Sequence, residues 1–127
     1  MGLLDPRSLD GMPAVKGWLA HADATERIVR EKYPHAEGRA QLMITVAENV
    51  LVQLEHLRTL PSVAAVLERG EVKLHGWVYK IETGEVFAYD AERGQFESLG
   101  AEAAGHEGSH RRLVSLRPLL EGLEESA

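Results

Sequence analysis

The sequence predicts an α/β fragment: about three helices followed by a β-hairpin that belongs to a larger sheet. Three observations carry this expectation. Apolar residues recur every three or four positions as far as Leu67, and the period changes to two from Glu71 onward. Pro13, Pro34, Pro61 and Gly70 punctuate the helical part where helices start or stop. The first strand carries large apolar groups on both faces, the pattern of a strand covered on both sides.

Residues 1–12 read as an irregular lead-in, with turn signals at Asp5-Pro6 and Asp10-Gly11. Pro13 suits a first helical turn, where its missing N–H costs nothing. From Ala14 to about Lys32 the pattern is helical, with Val15, Trp18, Leu19, Ala22, Ile28 and Val29 mostly on one face. Pro34 and Gly38 close the segment. A second helix is expected from about Arg39 to Leu60. Leu42, Val46, Val50, Leu54 and Leu57 form its stripe, widened by Met43, Ala47 and Leu51. A short third helix spans Ser62 to Glu68, ended by Gly70.

Glu71 to Ile81 then reads as a strand. Val72, Leu74, Gly76, Val78 and Lys80 lie on one face, and Lys73, His75, Trp77, Tyr79 and Ile81 on the other. Glu82 to Glu85 is the turn, and Val86 to Asp90 the partner strand. An isolated hairpin is marginal in water, and no other segment reads as a strand to pair with it. After Phe96 the chain turns glycine- and glutamate-rich. Leu113 to Leu123 could form a weak helix opposed by Pro118 and Gly122, so residues 97–127 are expected to be a weakly structured tail attached to a domain of residues 1–96.

Composition narrows the function. A formal charge of −6 argues against nucleic acid as a partner. No apolar run approaches the ~20 residues that span a bilayer, and no signal-peptide pattern opens the chain. Gly2 follows Met1, but Pro6 breaks the myristoylation pattern. A cytoplasmic location is the expectation. The chain has no cysteine, which excludes disulfides, thiolate nucleophiles and sulfur-held zinc.

Two long strings carry a family resemblance. The first is Asn49-Val50-Leu51-Val52-Gln53-Leu54-Glu55-His56-Leu57-Arg58-Thr59-Leu60-Pro61-Ser62-Val63. The second is Leu74-His75-Gly76-Trp77-Val78-Tyr79-Lys80-Ile81-Glu82-Thr83-Gly84-Glu85-Val86, with Asp90 ending the next strand. In this order and spacing they resemble the C-terminal part of a β-class carbonic anhydrase. The segment from Leu3 to Leu19 is similar to the region just after that family's second metal motif, so the resemblance covers roughly residues 1–96. It implies that the hairpin belongs to the family's sheet. It also implies that the zinc-binding segments, C-x-D-x-R and H-x-x-C-G, and the central parallel strands correspond to positions before Met1. No catalytic, cofactor-binding or metal-binding residue can then be carried over. The family uses zinc; this chain is expected to hold none and to be inactive alone. The expected partners are a second copy, in a homo-oligomer, or a related chain. Two functional readings follow: a truncated carbonic anhydrase, or a non-catalytic module that associates through its exposed strand.

Other motifs have bland readings. His106-Glu107-Gly108-Ser109-His110 matches H-E-x-x-H, with Glu121, Glu124 or Glu125 as conceivable third ligands. Gly105 and Gly108 oppose the helix that such a site needs, so it reads as a chance match. His75 reads as a satisfied core or interface histidine, and Trp18 and Trp77 as core or interface anchors. By the resemblance Tyr79 matches a tyrosine of a non-catalytic bicarbonate site in some relatives, whose partners would lie in the missing part; packing is the expected role here. His21, His35 and His56 are expected at the surface, and Glu26 with Arg30 as an ordinary helix-surface pair.

Overall fold

The structure, a computed structural model, describes residues 5–100 and 116–121. After a 3-10 turn at Pro6–Leu9 come helices α1 (Pro13–Leu19), α2 (Asp23–Lys32), α3 (Gly38–Thr59) and α4 (Pro61–Glu68). Strands β1 (Trp77–Lys80), β2 (Glu85–Asp90) and β3 (Gln95–Ser98) follow, and then a one-turn helix α5 (Arg117–Leu120). The chain divides into two compact units, Met1–Val52 and Gln53–Ala127.

In the first unit, the single helix expected over 14–32 is broken. A 3-10 turn at Ala20–Ala22 separates α1 from α2. Helix α2 carries Asp23 and Glu26 in its first turn and Arg30 and Lys32 in its last, a distribution that complements the helix dipole. It stops at Tyr33, because the residue before Pro34 is pushed out of helical conformation. The expected Glu26–Arg30 pair is present at 2.6 Å. The buried residues of this part of α3 are Ile44, Thr45, Ala47, Glu48 and Val52. Leu42 and Val46, expected in the buried stripe, are exposed.

In the second unit, Leu60 takes an extended conformation ahead of Pro61, which stands at the first position of α4. Gly70, at φ +69°, ends α4. Its N–H donates to the Leu67 carbonyl and that of Glu71 to the Val66 carbonyl, each at 3.0 Å, which is the Schellman arrangement of a glycine stop.

The sheet is antiparallel with order β1-β2-β3. The expected hairpin pairs Trp77 with Ala88 and Lys80 with Glu85. The third strand corrects the expectation that nothing else pairs with the hairpin: Phe87 lies opposite Ser98, and Asp90 opposite Gln95. Two turns of the same design join the strands. The Gly84 N–H donates to the Lys80 carbonyl and the Gly94 N–H to the Asp90 carbonyl, both at 2.8 Å. Both glycines have positive φ, 74° and 64°, where a Cβ is strained. Because a Cβ on Gly84 meets nothing nearer than 4.0 Å, the cost of Gly84→Ala is conformational alone. It is expected to lower unfolding free energy by about 1 kcal/mol in urea titration, with Gly84→Asn closer to wild type.

One face of the sheet is buried: Val78 and Lys80 of β1, Phe87 of β2 and Phe96 of β3. Leu116 and Leu119 are also buried, at 5% and 0% exposure, and α5 packs against β3. Part of the stretch expected as a tail, 97–98 and 116–121, is thus within this fold. The buried Lys80 donates to the Glu121 carbonyl at 3.1 Å and lies 5.3 Å from the centroid of the Phe87 ring.

Candidate functional site

The strand expected over 71–81 forms a ladder only from Trp77 to Lys80, opposite Glu85 to Ala88 of β2, and, among the described residues, no strand pairs with its other edge. The hydrogen-bond parity identifies that edge. The Tyr89 N–H donates to the Gly76 carbonyl at 2.9 Å, so Gly76, Val78 and Lys80 turn their main-chain groups toward β2. By the alternation of an antiparallel ladder, Trp77 and Tyr79 turn theirs outward.

The expectation that both faces of β1 are covered is also corrected. Trp77, Tyr79 and Ile81 are 61%, 60% and 83% exposed. Their neighbours on that face are Ala88 and Val86, by register, and Leu99, whose N–H donates to the Val86 carbonyl at 2.9 Å. Leu99 is 56% exposed. The result is a contiguous open apolar face beside an unpaired strand edge. Glu97 also lies on it and is ion-paired to Arg93 at 2.5 Å.

The other residues singled out in the sequence fall as follows. His75, two residues before β1, is exposed, so its core reading fails. Trp18, 73% exposed, is no core anchor; its ring meets His21 edge-on at 5.4 Å. The packing role expected for Tyr79 is absent on its exposed face. His21, His35 and His56 are at the surface as expected. His106 to His110 lies outside the described residues.

A buried polar cluster in the first unit has no counterpart in the sequence reading. Glu48 is 2% exposed, and its Oε1 accepts from Lys32 Nζ at 3.3 Å and from the Tyr33 hydroxyl at 3.1 Å. Next to it in sequence, Asn49 Oδ1 accepts from the Thr25 hydroxyl at 3.2 Å. Burial, then the Glu48 charge and its hydrogen bond, push the Tyr33 hydroxyl up to about 12. Among the described residues no group of three or more His, Cys, Asp or Glu could hold a metal ion. The polar cluster has a single carboxylate, so its chemistry is structural.

The carbonic anhydrase family profile matches residues 2–86. The carbonic anhydrase of Synechocystis sp. is 49% identical over 90 residues, 70% of this chain and 33% of that protein. The chain belongs to the β-class carbonic anhydrase family. Carbonic anhydrase 1 of Escherichia coli O157:H7 is 46% identical over 93 residues, 73% of this chain and 42% of that protein. The solved structure of the β-carbonic anhydrase CcaA superposes with a TM-score of 0.72 at 46% identity, covering 76% of this chain and 48% of that one. This chain therefore spans between a third and a half of these family members. The sulfur-held zinc that the family implies does not fit the residues present: the sequence contains no cysteine, and the described histidines and carboxylates do not converge.

Proposed function

We propose that this chain is a partial β-carbonic anhydrase domain without carbon dioxide hydration activity of its own. The observation that carries the reading is the donor set. Hydration at neutral pH needs a hydroxide nucleophile, and a zinc centre makes one by lowering the pKa of bound water from about 15.7 to about 7. The family reaction is reversible hydration of carbon dioxide to bicarbonate and a proton, on zinc held by two thiolates and an imidazole. A chain with no cysteine cannot supply those thiolates, and its retained helices and strands cannot replace them. In a stopped-flow hydration assay with added zinc, the purified chain is expected to give the buffer rate. A zinc-dependent rate above buffer overturns the reading.

A second reading is favoured by the exposed Trp77, Tyr79 and Ile81 beside an edge with which no strand pairs among the described residues. It is a non-catalytic association module that adds its strand to another sheet, in a homo-oligomer or with a related chain. Light scattering after size exclusion tests it; a well-folded monomer at high concentration counts against self-association.

A further inference from the structure

We propose that the face of the sheet beneath α5 is a concealed binding site for an apolar monocarboxylate, with Lys80 as the group that takes the carboxylate. The proposal stands apart from the reading of the chain as a partial domain. Its first support is the position of Lys80. This residue is 5% exposed and shares its face with Val78, Phe87 and Phe96, at 1%, 4% and 0%. A lysine is almost never buried so far without a partner. Its contacts are the Glu121 carbonyl at 3.1 Å and the Phe87 ring, 5.3 Å to the centroid. Neither carries a net charge. Its register partner Glu85 has a carboxylate, but that side chain is exposed and accepts from the Thr83 hydroxyl at 2.7 Å. A carboxylate from outside would supply the charge, through a hydrogen bond about twice as strong as a neutral one.

The second support is what the chain itself places there. Helix α5 packs against β3, and the Glu121 carbonyl just after it reaches Lys80 on β1, the strand at the opposite side of the sheet. The turn therefore lies across the face. It brings Leu116 and Leu119, buried at 5% and 0%, and one oxygen acceptor at its far end. An apolar body with a terminal oxygen is the outline of an apolar carboxylate, so this segment is an internal stand-in that lacks only the charge. The third support is how weakly a stand-in of this kind is held. Helix α5 has four residues, against the ~12–15 below which an isolated helix is marginal in water. Packing alone keeps it in place. A short terminal element opens at less cost than the sheet under it, and a ligand that binds the opened form makes that form dominant.

The test uses the full 127-residue chain and decanoate, kept below the concentration at which it forms micelles. The Leu119, Leu120 and Glu121 amides donate to carbonyls within the turn at 3.0, 3.2 and 3.1 Å. Decanoate is expected to speed their hydrogen exchange at least tenfold. The Tyr89 amide, which donates to the Gly76 carbonyl in the sheet, should stay protected. Acetate has the head without the body, and decyltrimethylammonium has the body with the opposite charge; neither should release the turn. In calorimetric titrations, Leu119→Ser loosens the tethered competitor and should tighten decanoate binding at least tenfold. Lys80→Met keeps the length of the side chain, removes its charge and should weaken binding at least tenfold. If Leu119→Ser unfolds the chain by circular dichroism, Leu116→Ala takes its place. Trp77→Glu, on the open face, should leave binding unchanged, which separates the site from adsorption there. No decanoate binding, binding indifferent to Lys80→Met, or equal release of the turn by the cationic amphiphile would each overturn the proposal.

Discussion

Replacing Phe96 by alanine is expected to destabilise the sheet by about 3–5 kcal/mol, the cost of emptying a fully buried aromatic site. Phe96 is 0% exposed. Its ring lies 5.4 Å from that of Tyr89, tilted by 50°, and the two residues are partners in the β2–β3 register. On the same face lie Val78 at 1%, Phe87 at 4% and Leu119 at 0% exposure, so a void there could not fill from solvent without wetting a packed layer. The control is Leu99→Ala. Leu99 is the next residue beyond β3 but sits on the open face, 56% exposed, and its loss should stay within about 0.5 kcal/mol. Urea denaturation of both variants checks the contrast. Equal small effects would mean that β3 contributes nothing to the fold and that the chain is structurally finished at Asp90.

That contrast also marks what could be read before folding. The α3–α4 junction and the end of α4 were legible because Pro61 and Gly70 act through local sterics, which need no tertiary information. The first turn was legible for the same reason. The second was missed, although Asp90-Ala91-Glu92-Arg93-Gly94 repeats the spacing of Lys80-Ile81-Glu82-Thr83-Gly84, with Glu and Gly at the same offsets. The strand after it, Gln95 to Ser98, has one apolar residue in four, too weak a period to announce itself. The break between α1 and α2 carries no proline or asparagine signal, and the structure offers no local cause for it. At the candidate site, the outlines of β1 and its two apolar faces were legible from period two. Its exposure was not, because burial of a strand depends on elements supplied from elsewhere in space. Glu48 escaped notice because the stripe of α3 was traced through apolar residues, and a carboxylate is buried only where donors such as Lys32 and Tyr33 meet it.

Those donors set the second large effect. Lys32→Met is expected to cost about 2–3 kcal/mol, more than Glu48→Gln at about 1 kcal/mol, because the two removals leave different remainders. Lys32 has half its side chain in water while Glu48 is 2% exposed. Without Lys32, a buried carboxylate retains the Tyr33 hydroxyl but loses its cation. Without the carboxylate, the lysine head returns to solvent at little expense. The double variant should therefore be close to Glu48→Gln alone, a coupling that a thermodynamic cycle reads directly. Tyr33 adds a dependence on alkali. Its hydroxyl is pushed up to about 12 by burial and by Glu48, so the folded state favours the protonated phenol. That contribution is present in full below the ordinary tyrosine value of about 10 and is lost as pH rises from there through about 12. Tyr33→Phe should flatten the fall in stability across that window and leave its slope near neutrality unchanged. An alkaline stability profile that is identical in Tyr33→Phe would separate Tyr33 from the Glu48 cluster.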